Sequence, residues 1–585
     1  MSAERGGRRG VPVRRRRVSA GRIAWAVVGA IVMVGAAAFI GLRVMDVGPG
    51  LPAIPHTEIP DLASVLETVT VTLPEPVGAD PNADGIKIAT FLGDETRRYY
   101  GEGPVPTKLE VIWKAKIGGG TTGGTGKAPA STSGTATAPT SGLVTWYGTG
   151  WTGQPALVRE NGKLYLLVGG FDHNLRKIDA ETGETLWKYE FPDVIKGSPT
   201  VFADPSAPGD FGRYTVMVGS RRGFPSSISA PDFAPFRAVD YMTGKELWRL
   251  PVPHTKSYSR DADGSGFVLG GKAYVGVESG DMYILDPFST ESWKSWQKPK
   301  ALAHQLLLGD SRASSHGGNL VLEASPALIG DRVYVASGSG HVYGMNKETL
   351  EVEWDFFTGS DLDGTTVATT DGYLIVEVEK QYIKGHGGVY KLDPSKPAAE
   401  SVVWYYPTGD RNFADWLGGV IGSSSVNDSY NPGNQMPGLV AFTAIDGNFY
   451  VVAKDDLAST TVPGPNLEPN LPTPVMVFKD SIGGAISTPI IVGDRIVACG
   501  YDATVHVYQI TASTDVATEG VLLHNKAGVA YKVSIAEAAS FKAGGTYEST
   551  PIVWQGRIYV GARDGYLYCI GDPDYVPGVE APTVP

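Results

Sequence analysis

Cysteine is almost missing from this chain: 585 residues contain only Cys499 and Cys569. That excludes a disulfide-built scaffold and a cysteine-rich zinc or iron–sulfur protein. Charged residues are sparse, 19% against the ~25% of an average globular chain. Hydrophobic residues nevertheless make up 42%, so the chain is not wholly disordered, and its composition is not that of a coiled coil. Long hydrophobic runs are also scarce. Residues 23–42 form an apolar run of 20 residues without a charge, enough for one crossing of a ~30 Å hydrocarbon layer. A multi-span membrane protein is excluded. No cysteine follows that segment, so a lipoprotein anchor is excluded too.

Basic residues concentrate at the start. Residues 1–43 carry nine Arg and one Glu, a net of +8, which leaves −20 on the rest of a chain whose overall charge is −12. The arginines preceding the apolar run place residues 1–22 as a cytoplasmic tail, 23–42 as a single transmembrane anchor and the bulk outside. The rival is a cleaved signal peptide, whose apolar region is normally shorter. An exported body this acidic repels phosphates and is no partner for nucleic acid. Residues 43–88 read as a stalk or linker, 118–142 as a flexible Gly/Ser/Thr/Ala/Pro insertion and 576–585 as a C-terminal tail.

Glycine is abundant: 75 residues, about 13% against a usual ~7%. Together with 27 Tyr and 12 Trp it points to many short strands and tight turns. One five-residue strand recurs eight times, at 175–179, 236–240, 282–286, 342–346, 389–393, 449–453, 505–509 and 567–571, with starts 46 to 62 residues apart. Hairpins with two-residue Gly-containing links precede the copies, as at Gly330-Asp331, Gly493-Asp494 and Gln555-Gly556. Thr-Gly turns and an outer strand with Trp follow, as at Thr182-Gly183 to Trp187 and Thr243-Gly244 to Trp248; Trp354 and Trp404 serve later copies. Four strands per repeat predict an all-β, eight-bladed β-propeller over 89–575, with seven blades as the alternative because the fifth and sixth units are irregular. The last copy lacks an outer strand, and a spare one stands at 109–116, around Trp113. The N-terminal strand is therefore expected to complete the last blade and close the ring.

The repeat, with its Ser-Pro start, Gly hairpin, Tyr-bearing strand ending in Asp, Thr-Gly turn and Trp, resembles the pyrroloquinoline quinone (PQQ)-type propeller family. The resemblance covers roughly 109–572. It implies one of two branches. The cofactor-free branch is similar to the propeller subunit of the outer-membrane β-barrel assembly machinery. The other comprises quinoprotein alcohol and glucose dehydrogenases, in which the quinone stacks on a Trp against a vicinal disulfide, beside calcium and a catalytic Asp. Here the two cysteines stand 70 residues apart and no haem-attachment motif occurs. The cofactor-free branch is therefore the preferred resemblance, with no cofactor expected; PQQ with calcium belongs to the alternative.

Aligning the repeats places one residue per unit near the central channel: Thr152, Lys196, Asp263, Glu323, Asp363, Ile486 and Glu548. The four carboxylates, Asp263, Glu323, Asp363 and Glu548, form an expected acidic ring suited to a cation, a polar ligand or protons. Asp261, Asp263 and Ser265 also begin like a calcium loop, with oxygen ligands at alternate positions, although Lys272 stands where an EF-hand needs Glu. His341 and His506 read as structural. Gly118, Gly120 and Gly123 match a dinucleotide fingerprint without the helix it requires. No catalytic residue is identified. The function expected is that of a membrane-anchored, exported, non-enzymatic binding or scaffold protein of the cell envelope. Its channel mouth or its loops 231–236 and 427–437 would hold an envelope or extracellular protein or polymer. The alternatives are a PQQ-dependent dehydrogenase and a cell-surface glycan-binding module.

Overall fold

The structure is a computed structural model, which describes residues 80–123, 143–221, 233–414, 416–484 and 486–575. The expected cytoplasmic tail, transmembrane anchor, most of the stalk, the centre of the flexible insertion and nearly all of the C-terminal tail lie outside these residues. No helix among the described residues is long and apolar enough to cross a membrane.

The described residues of 74–585 form eight sheets of four or five strands, antiparallel except where Gly101–Glu102 adds parallel to Ile552–Trp554 of the last, an eight-bladed β-propeller. Blade 4 is representative: Ala327–Ile329, Arg332–Ala336, His341–Asn346 and Val352–Phe357 pair in sequence order. Along its second and third strands almost every residue is buried, because both faces of a blade pack against neighbouring blades. The eighth blade closes as expected. Glu110–Lys116 pairs antiparallel with Tyr566–Gly571 as its outermost strand.

Two sets of contacts join blade to blade. On the channel side, a backbone N–H at the start of each blade donates to a hydroxyl of the next. Gln154 donates to Ser198, Ser198 to Ser265, Ser265 to Ser325, Ser325 to Thr365, Thr365 to Ser423, Ser423 to Thr488 and Thr488 to Thr550, at 2.8 to 3.3 Å. Thr550 N–H then returns to the carbonyls of Thr152 and Gly153. Further out, the indole N–H of Trp187, Trp248, Trp354 and Trp404 each donates to a backbone carbonyl of the following blade, at 2.9 to 3.0 Å. Trp113 makes the same bond from blade 8 to Ala180 of blade 1. The Thr-Gly turns are the other half of this staple. Gly183 and Gly244 sit at φ +76° and +69°, and a Cβ on either would come within 2.7 Å of the indole of Trp113 or Trp187.

The stretch before the closing strand departs from expectation. Gly85–Ile88, read from sequence as the end of the stalk, pairs with Ala156–Glu160 of blade 1. Residues 89–105 then run through the bore as a plug. Leu92 N–H donates to Gln154, Thr90 bonds Thr200 and Gly266, Leu328 and Ala368 N–H donate to Glu95 and Thr96 carbonyls, and Tyr100 accepts from Val426 and Val553. At its centre Arg97 is wholly buried. Its guanidinium donates to the carbonyls of Phe91, Ser265 and Pro326 and to the Thr90 hydroxyl. The expected partner loop 427–437 is anchored on the plug at one point, with Ser429, Pro432, Gly433 and Gln435 exposed. Tyr430 stacks on Tyr99 and Tyr100, and its hydroxyl donates to Gly101 and accepts from Tyr100 N–H. The flexible insertion has ordered flanks, with Gly119–Gly123 pairing with Leu143–Tyr147.

Arg97→Met should cost about 3 kcal/mol or more, because several buried acceptors lose their donor at ~1–3 kcal/mol each. Trp113→Phe, which removes one indole bond, should cost ~1 kcal/mol. Urea midpoints of the two variants should fall in that order.

Candidate channel site

The hydroxyl belt fixes which residues face the channel. The ring residue lies two positions before each belt residue, so blade 6, which aligns poorly by sequence, contributes Ile421 beside Ser423. A second set lies just past the second strand of each blade. Matching the ladders gives Phe171, Arg221, Glu278, Gly338, Glu379, Ile445, Tyr501 and Arg563 in blades 1 to 8.

Charge is distributed unevenly around this axis. Blade 2 brings Lys196 and Arg221. Blades 3 to 5 bring Asp261, Asp263, Glu278, Glu323, Asp361, Asp363 and Glu379. Blades 6 and 7 bring Ile421, Ile445 and Ile486, which pack with Trp416. In blade 8, Glu548 accepts from Tyr501 at 2.8 Å and from Arg563 at 3.3 Å. The expected acidic ring is therefore not one group: Glu548 has its own partners, while Asp263, Glu323 and Asp363 lie with the carboxylates of blades 3 to 5.

Those carboxylates fall into two triads. In the first, oxygens of Asp263, Glu278 and Glu323 lie within 4.8 Å of one another. The Lys196 ammonium reaches into it, bonding Asp263 and lying 2.9 Å from Glu323. The Trp151 indole N–H also donates to Glu323, and its ring lies 4.2 Å from the Lys196 nitrogen. Burial opposes the charge on Lys196, but Asp263, Glu323 and Glu278 raise its pKa above the ordinary lysine value. In the second triad, oxygens of Asp361, Asp363 and Glu379 lie within 4.8 Å of one another. No lysine or arginine pairs with it among the described residues. Asn319 donates to one Asp361 oxygen at 2.5 Å, and the other Asp361 oxygen has no partner. Burial first, and neighbouring carboxylates second, push Glu278, Asp363 and Glu379 well above the usual carboxylate range. Glu377, buried next to Ser424, is pushed up to about 8 by burial.

The three residues of the calcium-loop expectation have separate partners. Asp261 pairs with Arg221 at 3.0 Å, and Ser265 spends its hydroxyl on Ser198 N–H. Of Asp261, Asp263 and Ser265, only Asp263 enters a carboxylate triad. All-oxygen donors suited to a hard cation occur instead at Asp361, Asp363 and Glu379. Sequence reading missed Glu278, Glu379 and Asp361. For Glu278 and Glu379 the available signal was a Glu at a repeat position that varies from Gly and Ile to Arg in other blades; for Asp361 it was the Asp-x-Asp shared with Asp261 and Asp263.

The chamber between these groups is walled by Phe91 of the plug and by Trp151. Trp151 stacks on Trp146 and meets Trp416, each from a short hairpin. The cavity that remains measures about 20 Å³, room for one water-sized particle. A site for a cofactor-sized ligand is usually ~300 Å³ or more. Cys499 and Cys569 are buried free thiols, so no disulfide backs a planar ring. The residues present therefore do not fit a tricyclic quinone.

Residues 236–428 match a family model described as outer membrane protein assembly factor BamB. Over this stretch the repeat is the PQQ-like one. It runs from the third strand of blade 2 to the start of blade 6 and includes both triads. Similar solved structures include BamB from Moraxella catarrhalis, 14% identical, covering 73% of this chain and 98% of its own, with a TM-score of 0.44. Quinohemoprotein alcohol dehydrogenase from Comamonas testosteroni is 13% identical, covering 86% and 82%, with a TM-score of 0.46. A europium-containing methanol dehydrogenase is 11% identical, covering 85% and 99%, with a TM-score of 0.47. No curated protein matches the chain.

Lys196→Met should cost ~3–5 kcal/mol by leaving Asp263 and Glu323 buried without their cation. Adding Glu323→Gln should recover part of that loss. Carboxylates with raised folded-state pKa values bind more protons folded than unfolded, so their contribution is present below ~4 and is lost as pH rises through the folded values. The melting temperature should therefore fall from pH 5 to pH 8, and Asp361→Asn or Glu377→Gln should flatten the slope.

Proposed function

We propose that this chain is a membrane-tethered, exported, non-enzymatic binding or scaffold protein of the cell envelope. The observation that carries this reading is the closed channel: the plug occupies the bore, Lys196 and Trp151 occupy the chamber, and about 20 Å³ remains. Chemistry on a substrate needs a cleft that admits it; the channel, where the repeat brings its charged side chains together, offers none. The family match over 236–428, to a model described as an outer membrane protein assembly factor, supports an envelope role. The positively flanked run at 23–42 supports a tether with the propeller outside.

The outer rim supports the same reading. Blades 3, 6 and 7 extend their outer strands well beyond those of blades 1, 2, 4 and 5. Asp281–Trp293 with Trp296–Leu306, Asn448–Val462 with Leu471–Ser481, and Thr504–Ser513 with Ala530–Lys542 form long hairpins. Trp293, Leu302, Leu457, Met476 and Leu522 are exposed on them. Projecting strands with solvent-facing apolar side chains suit recruitment of a protein partner by edge pairing and side-chain contact. Loop 427–437, anchored on the plug through Tyr430 but exposed at Ser429, Pro432, Gly433 and Gln435, stays an expected contact surface beside these hairpins.

The test uses the full chain in detergent. Titration with PQQ and calcium should leave tryptophan fluorescence without saturable quenching, and dye reduction with alcohols and aldoses should stay at background. Cross-linking in isolated envelopes should capture a defined partner, and that capture should drop several-fold when Leu302 and Leu457 are both changed to Glu. Saturable quenching with turnover would overturn the scaffold reading.

A further inference from the structure

A second cavity, distinct from the channel chamber, opens between the plug and the first strands of blades 2 and 3. It measures about 320 Å³, the size of a site for a small organic ligand. Its walls are apolar, formed by Ile86, Val201, Phe202, Phe267 and Val268. The hydroxyls of Thr90 and Thr200 border it but are already engaged, bonding each other and the Gly266 carbonyl at 2.8 Å. The polar side chains left to meet a ligand are the adjacent carboxylates of Asp94 and Glu95.

Among the described residues no cation bonds these carboxylates, although the charges of Arg97 and Arg98 are felt at Glu95. Neither forms a salt bridge with a described residue. The nearest cations on the plug are used elsewhere: Arg97 on carbonyls of the bore, and Arg98 on the Ala368 carbonyl at 2.7 Å. One oxygen of Asp94 accepts from the Thr96 N–H and hydroxyl, at 2.7 and 2.5 Å. Burial first, then Asp94, raises the Glu95 carboxyl above its usual range. An anion would be repelled here. A sugar would find almost no free side-chain donors. A neutral apolar molecule would leave two partly buried carboxylates without compensation.

We infer that this cavity is a binding site for a primary ammonium carried on an apolar stem. The stem fills the space between Val201, Phe202 and Phe267, and the ammonium lies between the Asp94 and Glu95 carboxylates. The same chemistry comes from a free alkylamine or from a lysine side chain flanked by apolar residues on another protein. This site is independent of the channel and goes beyond the scaffold reading, which can stand or fall without it.

The experiment is calorimetric titration of the full chain in detergent, with three probes: n-hexylamine, n-hexanol and a capped Leu-Lys-Leu peptide. The site requires saturable binding of hexylamine or of the peptide, at least ten-fold tighter than hexanol. Glu95→Gln should weaken that binding about ten-fold, and Asp94→Asn, which keeps the turn to Thr96, should weaken it several-fold. Affinity should also fall on acidification as Glu95 takes up a proton. Hexylamine without peptide identifies a free amine as the ligand class; peptide without hexylamine identifies a protein lysine. The inference is overturned if neither binds, if hexanol binds as tightly, or if both variants bind like the unsubstituted chain while far-UV circular dichroism shows them folded.

Discussion

The structure depends on closing a ring whose blades have no covalent link across the seam. Each blade is an open sheet with two unpaired edges, and eight of them meet around an axis that could not stay dry or ordered if the ring opened. Two repeated hydrogen bonds solve this. Inside, a backbone N–H of each blade donates to a Ser or Thr hydroxyl of the next. Outside, in five of the eight joints, a tryptophan indole donates to a backbone carbonyl of the next, and Trp113 and Trp187 lie against a glycine that has no side chain to obstruct them. Each bond contributes only ~1 kcal/mol. Their effect comes from repetition around a closed path, where opening one joint strains its neighbours. At the seam the pattern persists because Trp113 and Ala180, 67 residues apart, take the places that adjacent blades occupy elsewhere.

That rigidity makes the interior possible. Buried carboxylates at the density seen in blades 3 to 5 repel one another, and an unconstrained chain would move them apart or into water. Held by the belt two residues away, they stay. They are tolerated because Lys196 reaches across from blade 2 and because burial shifts several toward the neutral acid. The opposite side of the channel is isoleucine, so the field across the chamber is one-sided. The plug adds a second constraint from within. Arg97 spends its guanidinium on backbone carbonyls of three segments, tying the bore together as the belt ties the wall.

Closure also determines where function can be. A propeller with an open bore offers its axis to a cofactor or substrate. This one has Phe91, Lys196 and Trp151 in that space, so the surfaces left for recognition are the rim, with its three long hairpins, and the face bearing the plug. The regular repeat accounts for the frame, and the departures from it account for the individuality of the chain: long outer strands in three blades, two short hairpins that bring Trp146 and Trp416 over Trp151, and an N-terminal stretch drawn inside.

Much of the frame was legible in the sequence because it is periodic. Strand copies, Gly-bearing hairpins and Thr-Gly–Trp combinations repeat at a spacing that only a blade explains, and the missing eighth outer strand had its counterpart at 109–116. The channel residues Lys196, Asp263, Glu323 and Asp363 were legible for the same reason, since equivalent positions in a closed ring must converge. What repetition could not convey was pairing. Asp261 and Asp263 are two residues apart, yet one meets Arg221 and the other Lys196. Glu548 shares a ring position with Glu323 but faces Arg563. Glu278 joins a triad across two blades through Glu323, whereas Asp361, Asp363 and Glu379 converge within blade 5, where the pairing of its first two strands brings both ends together. The plug has no repeat signature at all. Local sequence determined the blades, because strand period and turn chemistry act over a few residues. The closed bore, the partition of the carboxylates and the cavity beside Glu95 depend on side chains brought together from separate strands, and only tertiary packing set those distances.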